Sequence, residues 1–294
     1  MTMLPRNSIS IIKNINMKKI VAIILTLMAV AVAWPQPSGK KVYECPMKCE
    51  GEKTYDKPGK CPVCGMNLQE VKIKSNKVKN FVSPVKVVGA MMNVMMKGQL
   101  QGTIDLDTIA NKDHLYGFGP VEYQAGEIMI VDGKSYISTI VNGEDLLVKE
   151  SFAIKAPFFA YQNIEKWDGV DLPDSVGTIE QLESFLDQST KNHSRPFFFR
   201  ITGIVDSASF HVVNLPKGTV VSKPTDAHIG QKSFDLANEP VELLGFFSTE
   251  HKMIFTHHDS FVHIHLITYD KMKAGHVENI FLKKGTARLY LYRN

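Results

Sequence analysis

Residues 261–267 constrain the fold of this chain more than any other stretch. Apart from histidine at positions 263 and 265, they are all β-branched, aliphatic or aromatic, which is typical of a strand. Alternate side chains of a strand share a face, so His263 and His265 are predicted to point the same way. Two imidazoles at this spacing can converge on one ion, at about 2.0 to 2.1 Å from each ring nitrogen. The segment therefore predicts a strand that carries two metal ligands.

A polar stretch that ends in glycine, Asp270–Gly275, follows this strand. It is predicted to reverse the chain and bring His276 alongside the first two histidines. Three histidines leave the fourth position of a zinc site open for water or substrate, as in catalytic sites. Alternatively, the histidines are solvated or satisfied within the core. His257 and His258 are predicted to lie in a loop, where either can fix the tautomer of a ligand.

The N-terminus has the pattern of a secretory signal. Met17 and two lysines precede an apolar run over residues 20–32, and Ala31 and Ala33 form a small-x-small cleavage site. Residues 1–33 are therefore predicted to be a signal peptide that is removed on export to the periplasm or the medium. The apolar run is shorter than the roughly 20 residues that span a bilayer. A retained N-terminal anchor is the alternative.

The charge distribution separates two units of different composition. Residues 1–33 carry four basic side chains and no acidic one, which accounts for the whole formal charge of +4. The mature chain is then neutral overall, so no nucleic-acid partner is predicted. Residues 40–80 carry ten lysines against five acidic residues, so the remainder of the mature chain is acidic.

The cysteines form two close pairs. A loop with Lys57-Pro58-Gly59 separates the pairs, which predicts a small knuckle resembling a zinc ribbon, and four thiolates suit Zn²⁺ or Cu(I). Disulfide bonds are the alternative, because an exported protein meets an oxidising compartment. The predicted metal ligands of this module are Cys45, Cys49, Cys61 and Cys64.

The rest of the chain mixes strand and helix patterns. Residues 126–136 predict two strands around the Asp132-Gly133 turn. Residues 178–186 predict a helix, with a capping box formed by Thr178 and Gln181. Residues 197–203 and 209–213 predict two further strands. The fold class is therefore α+β with mixed or antiparallel sheets and a few helices. The predicted domain organisation is a Cys module at 41–70, a linker at 71–80 and a large domain at 81–294.

Two motifs around the cysteine pairs identify a family. The sequences Tyr43-Glu-Cys-Pro-Met47 and Pro58-Gly-Lys-Cys-Pro-Val-Cys-Gly-Met-Asn-Leu68 resemble the heavy-metal-binding domain fused to metal efflux proteins. That family usually has histidine where this chain has Lys48. Cys49 is expected to replace the missing ligand.

The large domain resembles a second family, the α-acetolactate decarboxylases. Its segments follow the landmarks of that family in order from about Phe81 to the C-terminus: residues 91–102, 114–119, 126–133, 156–158, 263–268 and 275–277. The resemblance implies that His263, His265 and His276 bind zinc and that Glu127 is the active-site acid or base. Without the family, a solvated hairpin carboxylate is the expected role of Glu127.

The resemblance also implies a reaction. The hydroxyl and ketone oxygens of 2-acetolactate would chelate zinc, which would stabilise the enediolate left by carbon dioxide. Glu127 would protonate it to give acetoin. The chain departs from the family at 212–216, where an arginine is absent, at Pro120, where threonine is expected, and at its C-terminus, where an acidic tail is absent. A metal-binding protein on a degenerate decarboxylase scaffold and a lyase or isomerase for another α-hydroxy ketone are therefore the alternatives.

Overall fold

The computed structural model describes residues 41–44, 53–60, 62, 67–70 and 85–292. The chain divides into two compact units, Met1–Val78 and Lys79–Asn294. The predicted signal peptide, the linker at 71–80 and all four cysteines lie outside the described residues. Among the residues described, no helix has the length and hydrophobicity needed to cross a membrane.

The first unit contains a small antiparallel sheet with the order β2-β1-β3. An isolated bridge pairs Lys60 with Asn67, and the Leu68 N–H donates to the Gly59 carbonyl over 2.8 Å. Residues 59–60 and 67–68 are therefore held together by backbone pairing. The strands are β1 Tyr43–Glu44, β2 Thr54–Tyr55 and β3 Gln69–Glu70.

The described part of the second unit is built mainly from strands, with three short α-helices. The helices are α1 Met91–Lys97, α2 Ile179–Ser189 and α3 Pro224–Ala227. The strands are β4 Lys86–Gly89, β5 Ile104–Asp105, β6 Leu115–Pro120, β7 Glu127–Val131, β8 Lys134–Val141, β9 Asp145–Glu150, β10 Lys155–Ala156, β11 Phe158–Asn163, β12 Trp167–Asp171, β13 Phe197–Val212, β14 Lys232–Phe247, β15 Val262–Thr268, β16 Ala274–Leu282 and β17 Arg288–Tyr292.

Two six-stranded sheets form the frame of this unit. Sheet I has the order β4-β11-β6-β7-β8-β9, and sheet II has the order β12-β17-β13-β14-β15-β16. The strand β13 pairs with β14 on one edge, and on the other edge with β17 and then β16. Strands β13 to β16 therefore close on themselves, which brings residues of β13, β15 and β16 together. Every pairing between the strands named above is antiparallel, which confirms the predicted fold class.

The sheets pack against each other through aromatic residues. Phe118 of sheet I meets Phe198 of sheet II edge to face, with ring centroids 5.7 Å apart, and both side chains are fully buried. A second core, which includes Ile128 and Ile130, covers the other face of sheet I. Because side chains alternate along β7, Glu127 shares its face with Met129, which belongs to the core between the sheets. The packing thus directs Glu127 toward sheet II.

The local sequence signals are confirmed at the two strongest positions. Asp132 and Gly133 have φ of 46° and 78° and join β7 to β8, as an Asp-Gly hairpin requires. The capping box of Thr178 and Gln181 begins α2. One difference is in β13, where the two predicted strands are a single strand. A bulge between Val205 and Ser207 lies in the stretch that separates the two predicted strands.

Candidate metal centre and active site

Three histidines of sheet II meet at one point. His263 and His265 share a face of β15, and His265 lies directly opposite His276 of β16. One ring nitrogen of each histidine lies within 4.8 Å of the others, and all three side chains are buried. The predicted cluster therefore forms because the chain reversal places β16 beside β15.

Hydrogen bonds orient two of these rings. The Nδ1 of His263 donates to the Phe255 carbonyl oxygen over 2.6 Å, so its Nε2 keeps a lone pair. That Nε2 lies 3.0 Å from Nδ1 of His276. On the far side of the His276 ring, Nε2 lies 3.1 Å from Nε2 of His257. His276 therefore faces a nitrogen of His263 on one side and a nitrogen of His257 on the other, each at hydrogen-bond distance.

His265 lacks any hydrogen-bond partner among the described residues. Its side chain is 1% exposed and stacks on Phe118, with centroids 4.5 Å apart, yet neither ring nitrogen makes a hydrogen bond. A buried polar group without a partner costs about 1 to 3 kcal/mol. A cation held by the three rings would satisfy one ring nitrogen of His265. Three imidazoles suit zinc, copper, iron or nickel. The residues therefore fit a metal ion.

Burial also keeps the histidines in the form that binds metals. Desolvation lowers the pKa of His263 to about 3, and it lowers the pKa values of His265 and His276 below the usual range. Mutual repulsion between the histidines adds to these shifts. The rings are therefore neutral at pH 7, and protons do not compete with a metal for their lone pairs.

Glu127 supplies the acidic group of the site from sheet I. Its Oε2 lies 3.8 Å from Nε2 of His265, and its side chain is 6% exposed. Burial raises the pKa of this carboxyl to about 8, although a hydrogen bond from the Val213 backbone opposes the shift. Glu127 is therefore a neutral carboxylic acid at pH 7. The expectation of a solvated hairpin carboxylate is wrong because both faces of β7 are covered.

A cavity of about 420 Å³ opens beside these residues. Met91, Met95 and Phe158 contribute to its apolar side, while Glu127 and the histidine cluster contribute polar groups. None of the described residues that line it is lysine or arginine. Arg200 of β13 pairs with Glu242 over 3.1 Å and does not line the cavity.

Two residues beside the cluster, His211 and Glu278, were not predicted from the sequence. His211 of β13 lies opposite His276, and the two rings stack with centroids 4.7 Å apart. Its Nδ1 lies 3.0 Å from Oε1 of Glu278, which also accepts from Gln231. The sequence indicated only that His211 lies in a predicted strand. Its place beside His276 depends on the pairing of β13 with β16, which the sequence did not reveal.

Comparison with known proteins places this chain in a family. The family model described as alpha-acetolactate decarboxylase matches residues 88–294. The chain belongs to the alpha-acetolactate decarboxylase family. A second family model, described as heavy metal binding domain, matches residues 42–71. The chain thus joins a heavy-metal-binding domain to a domain of the alpha-acetolactate decarboxylase family.

The relatives of this family are distant in sequence. The alpha-acetolactate decarboxylase of Methanosarcina mazei is 22% identical over 76% of this chain and 75% of the relative. That of Lactococcus lactis is also 22% identical, over 67% of this chain and 80% of the relative. The crystal structure of the acetolactate decarboxylase of Bacillus subtilis subspecies spizizenii superposes with a TM-score of 0.57, at 20% identity over 71% of this chain and 86% of that one. The structural likeness supports the decarboxylase fold.

Proposed function

We propose that this chain converts 2-acetolactate to acetoin with Zn²⁺ held by His263, His265 and His276. The observation that carries the proposal is the buried carboxyl of Glu127, which lies 3.8 Å from His265, a buried histidine whose ring nitrogens make no hydrogen bond among the described residues. The curated relatives are named alpha-acetolactate decarboxylases. An acid and a metal site in one cavity can together catalyse the decarboxylation of a 3-oxo acid.

The residues of the chain have distinct tasks in this reaction. When Zn²⁺ is bound, it supplies Lewis acidity to the hydroxyl and ketone oxygens of the substrate. The bond to the carboxylate breaks and carbon dioxide leaves its electron pair with the adjacent ketone. Glu127 then delivers its proton to the carbon that has lost carbon dioxide, and it regains a proton from solvent. In the metal-free protein, burial raises the pKa of Glu127 and favours the protonated form that this step needs.

The cavity meets the substrate carboxylate without a permanent positive charge. The polar groups beside the cluster include the imidazoles of His211, His228 and His257 and the amide of Gln124. We assign carboxylate recognition to this imidazole-rich wall. The apolar side formed by Met91 and Met95 accommodates the methyl groups of the substrate.

The N-terminal parts complete the proposal. Residues 1–33 serve as a signal peptide and direct the chain to the periplasm or the medium. Residues 41–70 form an accessory module in which Cys45, Cys49, Cys61 and Cys64 bind zinc or copper, and 71–80 link it to the catalytic domain at 81–294. The match of residues 42–71 to the heavy-metal-binding family supports the proposed metal-binding role of residues 41–70.

An acetoin assay combined with metal analysis tests the proposed activity. Purified protein loaded with Zn²⁺ is expected to release carbon dioxide from racemic 2-acetolactate and to form acetoin. A chelator should abolish the activity, and added Zn²⁺ should restore it. Formation of acetoin that is unaffected by chelation and metal removal would contradict the metal-dependent mechanism.

A second candidate function is metal binding without catalysis. It is favoured by the absence of lysine and arginine among the described residues of the cavity and by the fused heavy-metal-binding domain. The variant His265→Ala separates the two candidates. If metal-loaded wild-type protein forms no acetoin while His265→Ala binds one ion fewer, the scaffold is a metal-binding protein.

A further inference from the structure

Residues 248–261, which connect β14 to β15, contact two of the three clustered histidines from outside the cluster. The Phe255 carbonyl accepts a hydrogen bond from Nδ1 of His263, and Nε2 of His257 lies 3.1 Å from Nε2 of His276. We propose that this segment, the ligand-orienting loop, fixes the ring tautomers of both ligands, and that His257 is the positioning residue for His276. The inference rests on the metal site of the proposed function.

The two nitrogens of His276 face different partners. Its Nδ1 faces Nε2 of His263, whose lone pair points into the cluster, whereas its Nε2 faces His257. A neutral imidazole carries a single proton. If Nδ1 is to offer a lone pair to a cation, the proton must be on Nε2, and it then donates to the unprotonated Nε2 of His257. An acceptor at position 257 therefore selects the tautomer of His276 that can bind metal.

The ligand-orienting loop is held firmly enough to impose this orientation. Phe255 is fully buried, with its ring 4.8 Å from those of both Phe246 and His263. The backbone N–H of Met91 donates to the Ile254 carbonyl over 2.8 Å, where helix α1 begins. The loop is therefore anchored to the core by the Phe255 ring and to helix α1 by the Ile254 carbonyl.

The anchoring links the metal ligands to the substrate cavity. Met91 and Met95 of α1 line the cavity, and the loop that bonds to the start of α1 also contacts His263 and His276. His258, next along the loop, is exposed, and its nearest charged partner is Asp259 at 3.9 Å. Two adjacent histidines thus occupy different environments, and the second provides a matched control.

Metal affinity in the absence of substrate tests the role of His257. The variants His257→Leu, His257→Gln and His258→Gln are made in the full chain with all four cysteines replaced by serine, so that bound Co²⁺ reports the histidine site alone. Competition with a chromophoric chelator is expected to show the Kd for Co²⁺ rising on the order of 10- to 100-fold in His257→Leu. His257→Gln should recover much of the affinity because its amide oxygen accepts the same hydrogen bond. His258→Gln should bind as the parent does.

Two spectroscopic measurements distinguish positioning from a merely structural role. The visible Co²⁺ bands should change in His257→Leu and return in His257→Gln. In the Zn²⁺-loaded parent protein, ¹⁵N chemical shifts should show the His276 proton on Nε2, a result that does not depend on whether any variant folds. Equal Co²⁺ affinity in His257→Leu and the parent, or a proton on Nδ1 of His276 in the Zn²⁺-loaded protein, would overturn the inference.

The outcome is separable from that of the acetoin assay. Weaker Co²⁺ binding in His257→Leu supports the positioning role even if the protein forms no acetoin. Unchanged Co²⁺ binding removes the positioning role and leaves the decarboxylase proposal intact.

Discussion

The two sheets contribute to the site in different ways. Sheet II holds three histidines within a few residues of one chain reversal, and strand pairing alone sets His265 opposite His276. Sheet I contributes Glu127, which comes within 3.8 Å of His265 only because the two sheets pack face to face. Ligand geometry therefore depends on local pairing, whereas the distance from acid to ligand depends on the core between the sheets.

This difference separates metal binding from catalysis. Changes in sheet I should leave the histidine cluster able to bind a cation and should alter the position or protonation of the acid. Changes in sheet II should remove the metal and the reaction together. Variants confined to sheet I therefore provide the sharpest tests of the comparison.

The largest effect is expected from Glu127→Gln. The amide keeps the shape of the carboxylic acid but has no proton to deliver, so kcat should fall by about 10²- to 10⁴-fold. Metal affinity should stay at the wild-type level because the histidines remain in place. Steady-state acetoin formation and a metal titration measure the two quantities. Glu150→Gln, at the exposed end of β9, is the control, and loss of metal in Glu127→Gln would identify Glu127 as a ligand instead.

The next effect concerns the core between the sheets. Phe118 stacks on His265 and meets Phe198, so Phe118→Ala should cost about 3 to 5 kcal/mol of unfolding free energy and loosen the contact between the sheets. Phe159→Ala provides the matched control, because Phe159 is equally buried but belongs to the core on the other face of sheet I.

Urea unfolding and acetoin assays compare the two phenylalanine variants. Both should lose similar stability, but Phe118→Ala should lose more activity under conditions where both are folded. Equal loss of activity would show that the acid is positioned by sheet I alone.

The sequence predicted the parts of this molecule that depend on neighbouring residues. The Asp132-Gly133 hairpin, the capping box of Thr178 and the strand carrying His263 each follow from short-range patterns. The burial of Glu127 could not be predicted in this way, because it depends on a second core behind β7. The sequence allowed either His257 or His258 to contact a ligand, but it could not select His257, since that contact requires a loop to fold back over a strand.

Glu127 should also make the metal-free protein sensitive to pH. The carboxyl ionises near pH 4.5 when exposed, but burial raises its pKa to about 8 in the folded chain. Between these values the folded state retains a proton that the unfolded state releases, so the contribution of Glu127 to stability falls as pH rises. Relative to Glu127→Gln, the wild type should lose on the order of 1 kcal/mol per pH unit across this window.

Urea unfolding of chelator-treated protein at pH 5, 6, 7 and 8 measures this difference. The curves for wild type and Glu127→Gln should diverge steadily toward pH 8, while Glu150→Gln should follow the wild type. Parallel curves for wild type and Glu127→Gln would place the carboxyl in contact with water.

The smallest effect on activity is expected from the other unit of the chain. Cys61 belongs to the predicted thiolate module, whereas every residue assigned to the reaction lies in the second compact unit, Lys79–Asn294. Cys61→Ser should therefore lower the number of bound metal ions and leave kcat unchanged. Metal analysis and the acetoin assay on the same preparation test this. If activity falls with the metal content, the histidine site depends on the cysteine module for its supply of metal. Metal binding at the histidines would then depend on more than the pairing of β15 with β16.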